Sequence, residues 1–274
     1  MPGTQKPTSE TPLFQTCMLG DLDIGDEKSF RHVGLYADLK RVLERANYTF
    51  RVLPERDRGR WDKALLLNLT FWGATGGGDV LTTHDIEADV VAHVAWHHLA
   101  ARALGTPNAP LSVHALFLGE SIASAFDVYL VGRLLGHAPK SSFLESQVPA
   151  MADAVEASGY PEKAFDDLLQ SIASDPDRAF EDLRALLFDV SLRLFSCANA
   201  EEGLGVLSAF ESHSYAMLLP RYELSNWVLY ARAYGAADER GAEMARAVDR
   251  ALRSAPVALD WLEAQWVTPA LTQQ

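Results

Sequence analysis

Four of the eight histidines of this 274-residue chain, His84, His93, His97 and His98, fall within fifteen consecutive residues. Residues four positions apart lie on one face of a helix, so Asp89, His93 and His97 would form a single row. Two imidazoles one turn apart can bind one divalent cation at about 2.0–2.1 Å from each nitrogen. His98 lies about 100° further round a helix and faces elsewhere. The spacing predicts a metal site at His93 and His97 and leaves His84 and His98 without an assigned role.

A third ligand is predicted on the next apolar segment. Glu120 and Asp127 are seven positions apart among small and apolar residues, two turns along one helix face. Burying two carboxylates is unfavourable without a compensating partner. A metal ion shared with the two histidines would be such a partner, and so would hydrogen bonds from the imidazole N–H groups alone. The second alternative is a purely structural cluster.

The order of these motifs resembles the active site of gluzincin-type zincin metallopeptidases. The shared features are a strand, a glycine-containing connection, a helix with H-x-x-x-H and a later helix with G-E-x-x-A-S, which together cover about residues 63–135. The resemblance implies a zincin-like helical core in which His93, His97 and Glu120 bind the metal. It also implies that Asp127 orients a ligand histidine.

One position departs from that family pattern. The glutamate that follows the first histidine of the family motif, and acts as its general base, is replaced by Val94. Valine cannot carry a proton, and general-base catalysis contributes about 10²- to 10⁴-fold in rate. We therefore do not expect ordinary peptide hydrolysis. Glu87, Asp89 and Asp127 are the acids that could have taken over the catalytic role.

Three functions stay open for such a site. The first is a metal-dependent, hydrolase-like enzyme with a relocated base. The second is a non-heme Fe(II) oxidase or oxygenase, whose ligands are two histidines and one carboxylate. The third is a catalytically inactive zincin-like scaffold or interaction protein. Imidazole binds zinc and iron alike, so the metal is not identified, and the apolar surroundings favour a small organic substrate.

The segments before the histidines mix helical and strand patterns. Apolar residues recur at helical spacing over 29–43, whereas 48–53 alternates and 63–72 is a compact apolar run. Glycines dominate 73–79, but that stretch matches neither a P-loop nor a dinucleotide fingerprint. We expect two strands followed by a loop that borders a cleft.

From Thr83 onward the pattern is helical. Thr83 or His84 is expected to cap a helix that runs to about Leu104, and a second long helix should lie between Pro110 and Gly136. Further helices are expected at about 146–158, 161–174, 177–199, 201–218, 221–235 and 238–254. Residues 213–215 and 221–223 flank the break at Pro220, and either segment could send a polar side chain over the site.

These elements predict a mainly α (α+β) fold with a small N-terminal β element. Residues 1–18 are expected to be a disordered lead-in, and 19–274 a single domain. Within it, 19–145 would form the metal-site part and 146–274 an acidic helical layer. We find no signal sequence and no apolar run of transmembrane length. Neither of the two cysteines, Cys17 and Cys197, lies in a recognisable cysteine motif. A cytoplasmic location is the expectation.

Charge limits the choice of partners. The net charge is −13, the sequence pI is near 5.0 and no basic cluster is present, so neither nucleic acid nor an anionic membrane is an expected partner. Residues 1–150 carry 14 basic and 17 acidic side chains, whereas 151–274 carry 10 and 20. The acidic helices of 151–182 are a candidate surface for a protein partner.

Overall fold

The computed structural model describes residues 14–60, 80–106 and 109–272. The fold is mainly helical with a small N-terminal β element, which confirms the predicted class. A cluster of buried apolar residues extends from Cys17 to Val267, so the N-terminal strands and the C-terminal helices contribute to the same core. The predicted strand 63–72 and the glycine-rich stretch 73–79 lie outside the described residues.

The β element consists of short strands in two sheets. In the first sheet, β1 (Gln15–Met18) pairs antiparallel with β3 (Thr49–Val52), which pairs parallel with β4 (Val80–Leu81). In the second, β2 (Asp23–Gly25) pairs parallel with β5 (Asp85–Glu87). The prediction of a disordered lead-in is therefore wrong for 15–18, because the backbone there pairs with β3.

Three helices in the first half of the chain contribute to the core. A 3-10 turn, Glu27–His32, precedes α1 (Gly34–Arg45), so the segment expected to be one helix over 29–43 is divided. Helix α2 spans Ala88–Leu104 and α3 spans Val113–Leu135. The expected cap at Thr83 or His84 is wrong, because Asp85–Glu87 forms β5 and the helix begins only at Ala88.

Helix α3 is the central element of the fold. The side chain of Ser112 accepts a hydrogen bond from the Ala115 N–H and caps its N-terminus, and the helix ends at Gly136 as predicted. Its length and a mean hydropathy of 1.4 satisfy the criteria for a membrane span, contrary to our expectation that no segment does. However, 94% of that apolar window is buried inside the protein, as expected for the core helix of a globular fold.

The second half of the chain adds helices around α3. They are α4 (Ser142–Ala157), α5 (Glu162–Ser174), α6 (Pro176–Phe195), α7 (Ala200–Ser208), α8 (Leu224–Tyr234), α9 (Glu239–Ser254), α10 (Ala258–Leu262) and α11 (Thr268–Thr272). Between α7 and α8 a 3-10 segment, Ala216–Tyr222, replaces the end of the helix expected over 201–218. Among the elements that contact α3, helix α6 packs against it most extensively.

Candidate metal centre

Helices α2 and α3 bring the three predicted ligands together. One ligand atom from each of His93, His97 and Glu120 lies within 4.8 Å of the others. The side chains are 10%, 18% and 6% exposed respectively, so the cluster is largely buried. A Cβ at Gly119 would lie 3.2 Å from the Cβ of Ala100 on α2. Glycine at that position allows the close approach of the two helices beside Glu120.

Two of the three distances within this cluster match those between ligands of one ion, and the third is longer. The Nε2 atoms of His93 and His97 are 3.1 Å apart, and His97 Nε2 is 2.9 Å from Glu120 Oε2. The other carboxylate oxygen, Oε1, is 3.9 Å from His93 Nε2. Ligand atoms about 2.0–2.2 Å from a common ion are about 2.9–3.0 Å apart at right angles and about 3.3 Å apart at tetrahedral angles. This buried group could therefore hold a metal ion.

The carboxylate of Glu120 is incompletely satisfied by protein hydrogen bonds. Its Oε1 accepts a hydrogen bond from the Ser124 hydroxyl at 3.3 Å. Its Oε2 is buried and has no aligned hydrogen-bond donor, although His97 Nε2 is only 2.9 Å away. Burial favours the neutral acid, yet the charges on His97 and His93 outweigh this and lower the pKa of Glu120. An unaligned oxygen 2.9 Å from His97 Nε2, in a carboxylate whose other oxygen is 3.9 Å from His93 Nε2, fits a shared cation.

Asp127 lies on the opposite side of the His93 ring. Its Oδ2 is 3.5 Å from His93 Nδ1, and its side chain is 25% exposed. A carboxylate at Nδ1 favours the tautomer that carries its proton there, which leaves the Nε2 lone pair directed at Glu120 and His97. The sequence predicted this position for Asp127 through the family resemblance, and the structure places the residue there.

Asp89 and Glu87, the other acids considered as catalytic residues, are not part of the ligand group. Burial raises the pKa of Asp89 to about 7, and the negative charge of Asp127 adds to this effect. Asp89 is thus electrostatically coupled to Asp127, and the charge of His93 acts on it in the opposite direction. Glu87 is exposed, and its carboxylate lies over Gly25, where an added Cβ would be 2.5 Å from Oε1. The catalytic roles of these two acids and of Asp127 stay predictions.

The remaining neighbours of the histidine pair are structural in character. Val94 is buried at 3% exposure, so the residue after His93 is a core side chain. The His98 ring packs edge-on against Tyr48 with centroids 5.4 Å apart, and His84 is exposed. Burial lowers the pKa of His98 to about 4, and the charge of Arg102 contributes to the same shift. His98 is therefore a neutral packing residue rather than a fourth ligand.

One further polar group lies on the Asp127 side. The hydroxyl of Tyr222, at the end of the 3-10 segment Ala216–Tyr222, is buried and has no well-aligned hydrogen-bond partner among the described residues. Burial raises the pKa of Tyr222, and the negative charge of Asp127 adds to this rise. The sequence indicated that residues 221–223 could approach the site. The fold shows in addition that the charge of Asp127 acts on the Tyr222 hydroxyl.

The fold and this group define a mainly helical protein whose buried His93, His97 and Glu120 side chains could hold a metal ion. Comparison of the chain with protein-family models, curated proteins and solved structures gives no match.

Proposed function

We propose that the protein is a divalent-metal-dependent enzyme with a zincin-like core, in which His93, His97 and Glu120 bind the ion. The observation that carries the proposal is the buried carboxylate of Glu120, which lies 2.9 Å from His97 Nε2 and 3.9 Å from His93 Nε2. In the described part of the chain, no lysine or arginine lies within ion-pair distance of that carboxylate. A divalent cation would neutralise it and satisfy its unpartnered oxygen.

Four residues of the chain have distinct roles at such a site. His93, His97 and Glu120 hold the ion, and Asp127 keeps the His93 ring in the tautomer that can ligate. A bound divalent ion supplies Lewis acidity and lowers the pKa of bound water. Because Val94 occupies the position of the family's general base, the proposed substrate is a small organic molecule rather than a peptide.

A second candidate, an Fe(II)-dependent oxidase or oxygenase, is favoured by the ligand set and by Val94. Two of the three separations, 2.9 and 3.1 Å, are near the value for ligands at right angles, and the third, 3.9 Å between His93 Nε2 and Glu120 Oε1, is wider. Two histidines and one carboxylate on one face of an octahedron are the ligand set of that enzyme class. Such a site also needs no proton acceptor at position 94.

Metal analysis of untagged protein tests the proposal and separates the two candidates. We expect near one equivalent of metal after anaerobic reconstitution with Fe(II) or with Zn(II). Oxygen consumption by the iron form supports the oxygenase, and ester or amide hydrolysis by the zinc form supports the hydrolase. His97→Ala and Glu120→Gln should lose the ion, whereas the matched control Glu87→Gln, an exposed acid on β5, should retain it. Less than about a tenth of an equivalent in the reconstituted parent protein contradicts both candidates.

A further inference from the structure

A cavity of about 1110 Å³ lies away from the metal centre. It is formed by the end of α6, by α7, by the 3-10 segment and by α8. Six leucines contribute to its lining, namely Leu194, Leu204, Leu207, Leu219, Leu224 and Leu229. We call this cavity the α7–α8 groove. None of the candidate metal ligands lines it.

The rims of the α7–α8 groove expose apolar side chains. Leu204 on α7 is 65% exposed and Leu229 on α8 is 63% exposed. Only two other large apolar side chains in the described ranges, Met18 and Tyr234, are more than half exposed. A small molecule inside the groove would leave both leucines in water. Their exposure therefore points to an occupant that also covers the rims.

Helix α7 is only partly packed against the rest of the protein, through Val206 and Leu207. No residue of Ala200–Ser208 is buried, although the sequence includes Leu204, Val206 and Leu207. It is only nine residues long, and it contains Gly203 and Gly205, which weaken a helix interior. Short helices depend on tertiary packing of an apolar face for their stability. Contact with a partner would supply the packing that α7 lacks.

The charge around the α7–α8 groove selects the partner. Glu211 and Glu223 line it and are exposed, and Glu201 begins α7. The one arginine in its lining, Arg232, donates hydrogen bonds to the carbonyl oxygens of Phe195 and Cys197 and is thereby held at the end of α6. A second copy of this chain carries the same net charge of −13 and is repelled. A basic partner is attracted.

We propose that the α7–α8 groove binds an amphipathic helix of another protein, with an apolar face and lysine or arginine flanks. An apolar groove with acidic rims is the complement of such a helix, whose residues i, i+3, i+4 and i+7 enter between the walls. The acidic stretch 153–182, predicted from its charge to be a partner surface, reaches one end of the groove at Ser158–Tyr160. This site is independent of the proposed metal chemistry.

The probe for the test is a synthetic helix of leucine and lysine with leucines at those positions, and its counterpart has glutamate in place of lysine. Fluorescence anisotropy of each labelled peptide gives the affinity of the full chain. Cys197 lines the groove, so bound peptide should slow its reaction with a thiol reagent. Cys17 does not interfere, because it is buried and burial raises the pKa of its thiol.

Paired variants locate the binding. Leu204→Ser with Leu229→Ser should weaken binding of the lysine peptide at least about tenfold, whereas Met18→Ser, an equally exposed apolar residue on β1, should not. Glu211→Lys should weaken it several-fold and reduce its salt dependence, and Glu44→Lys on α1, with the same change of charge, should leave it unchanged. Circular dichroism of each variant checks the fold, which these exposed positions should not disturb.

Several outcomes would overturn the proposal. Equal binding of the glutamate peptide contradicts the choice of a basic partner, and unchanged affinity in the double leucine variant removes the groove from the interaction. Saturable binding of a long-chain carboxylic acid without binding of the lysine peptide assigns the groove to a small amphiphile. A dimer in sedimentation that disappears in the double leucine variant assigns it to a second copy of the chain.

Discussion

Two clusters of buried charge in this protein differ in how they are neutralised. The first joins α6 to α9, where the fully buried Arg184 donates a bidentate pair of hydrogen bonds to Glu181 at 2.7 and 2.8 Å and a third to Asp249 at 2.8 Å. Arg253 completes it by bonding to Asp249 and to Asp189. The second is the group of His93, His97 and Glu120 with the acids Asp127 and Asp89 beside it.

The difference lies in the source of positive charge. The Arg184 cluster carries permanent guanidinium groups, and each buried donor faces a carboxylate oxygen, so it is complete without any ligand. The Glu120 cluster depends on imidazoles, which are neutral or protonated according to pH, and leaves a buried carboxylate oxygen without an aligned donor. The first arrangement joins helices, whereas the second is suited to accept a cation.

The largest effect is expected when the permanent cation is removed. Arg184→Met leaves Glu181 without its partner and Asp249 with Arg253 alone, and should destabilise the fold by about 3–5 kcal/mol. Urea unfolding measures this loss, which should be the same with and without a chelator. Arg178→Ala on the same helix is the control, because Arg178 pairs with Asp182 at the surface and should change stability by less than about 1 kcal/mol. Equal losses in both variants would contradict the comparison.

Glu120→Gln should have the opposite dependence on metal. The metal-free protein should lose less stability than Arg184→Met does, since Glu120 faces two imidazoles and no permanent cation. The parent protein should gain about 2.7 kcal/mol at a free metal concentration 100 times the Kd, and the variant should gain much less at that same concentration. Urea unfolding with and without Zn(II) or Fe(II) measures both quantities. A full metal-induced gain in the variant would exclude Glu120 as a ligand.

The sequence was sufficient to predict that His93, His97 and Glu120 come together, because that grouping depends mostly on local spacing. His93 and His97 are one turn apart on α2, and Glu120 and Asp127 are two turns apart on α3, so only the packing of two neighbouring helices had to be assumed. The small residues Ala100 and Gly119 permit that packing. The same locality explains why most helix positions in the second half were predicted to within a few residues.

Features that depend on distant pairing could not be predicted in this way. Residues 85–87 form a strand because they pair with Asp23 and Ile24 of β2. Their sequence alone indicates the start of a helix. The coupling of Asp89 to Asp127 arises only when α2 and α3 pack. Helices α10 and α11 follow the last helix that the periodicity indicated, and their short lengths give a weak periodic pattern.

Asp127→Asn tests whether Asp127 orients the His93 ring from the side opposite the proposed metal. An asparagine keeps the size of the side chain but removes the charge that holds the proton on His93 Nδ1, so metal affinity should fall about 10- to 100-fold. Competition with a chelating dye measures the Kd. Asp85→Asn, an exposed acid on β5, is the matched control and should bind metal as the parent protein does. An unchanged affinity in Asp127→Asn would assign His93 another orienting partner.

The smallest effect concerns Asp89 in metal-free protein. Its carboxyl has a pKa of about 7 in the folded state and about 3.9 in the unfolded state. Between these two pH values the folded protein keeps a proton on Asp89 that the unfolded chain has lost. Stability should therefore fall as pH rises from about 4 to 7, and Asp89→Asn should abolish that part of the fall. We expect the variant to exceed the parent by about 1–2 kcal/mol at pH 8 and by much less at pH 5, since water reaches this half-buried group and reduces the full effect. Urea unfolding in the presence of a chelator at both pH values measures the difference. Equal stability of the two proteins at pH 8 would show that Asp89 is ionised without cost, and the acidic side of the metal cluster would then resemble the balanced Arg184 cluster.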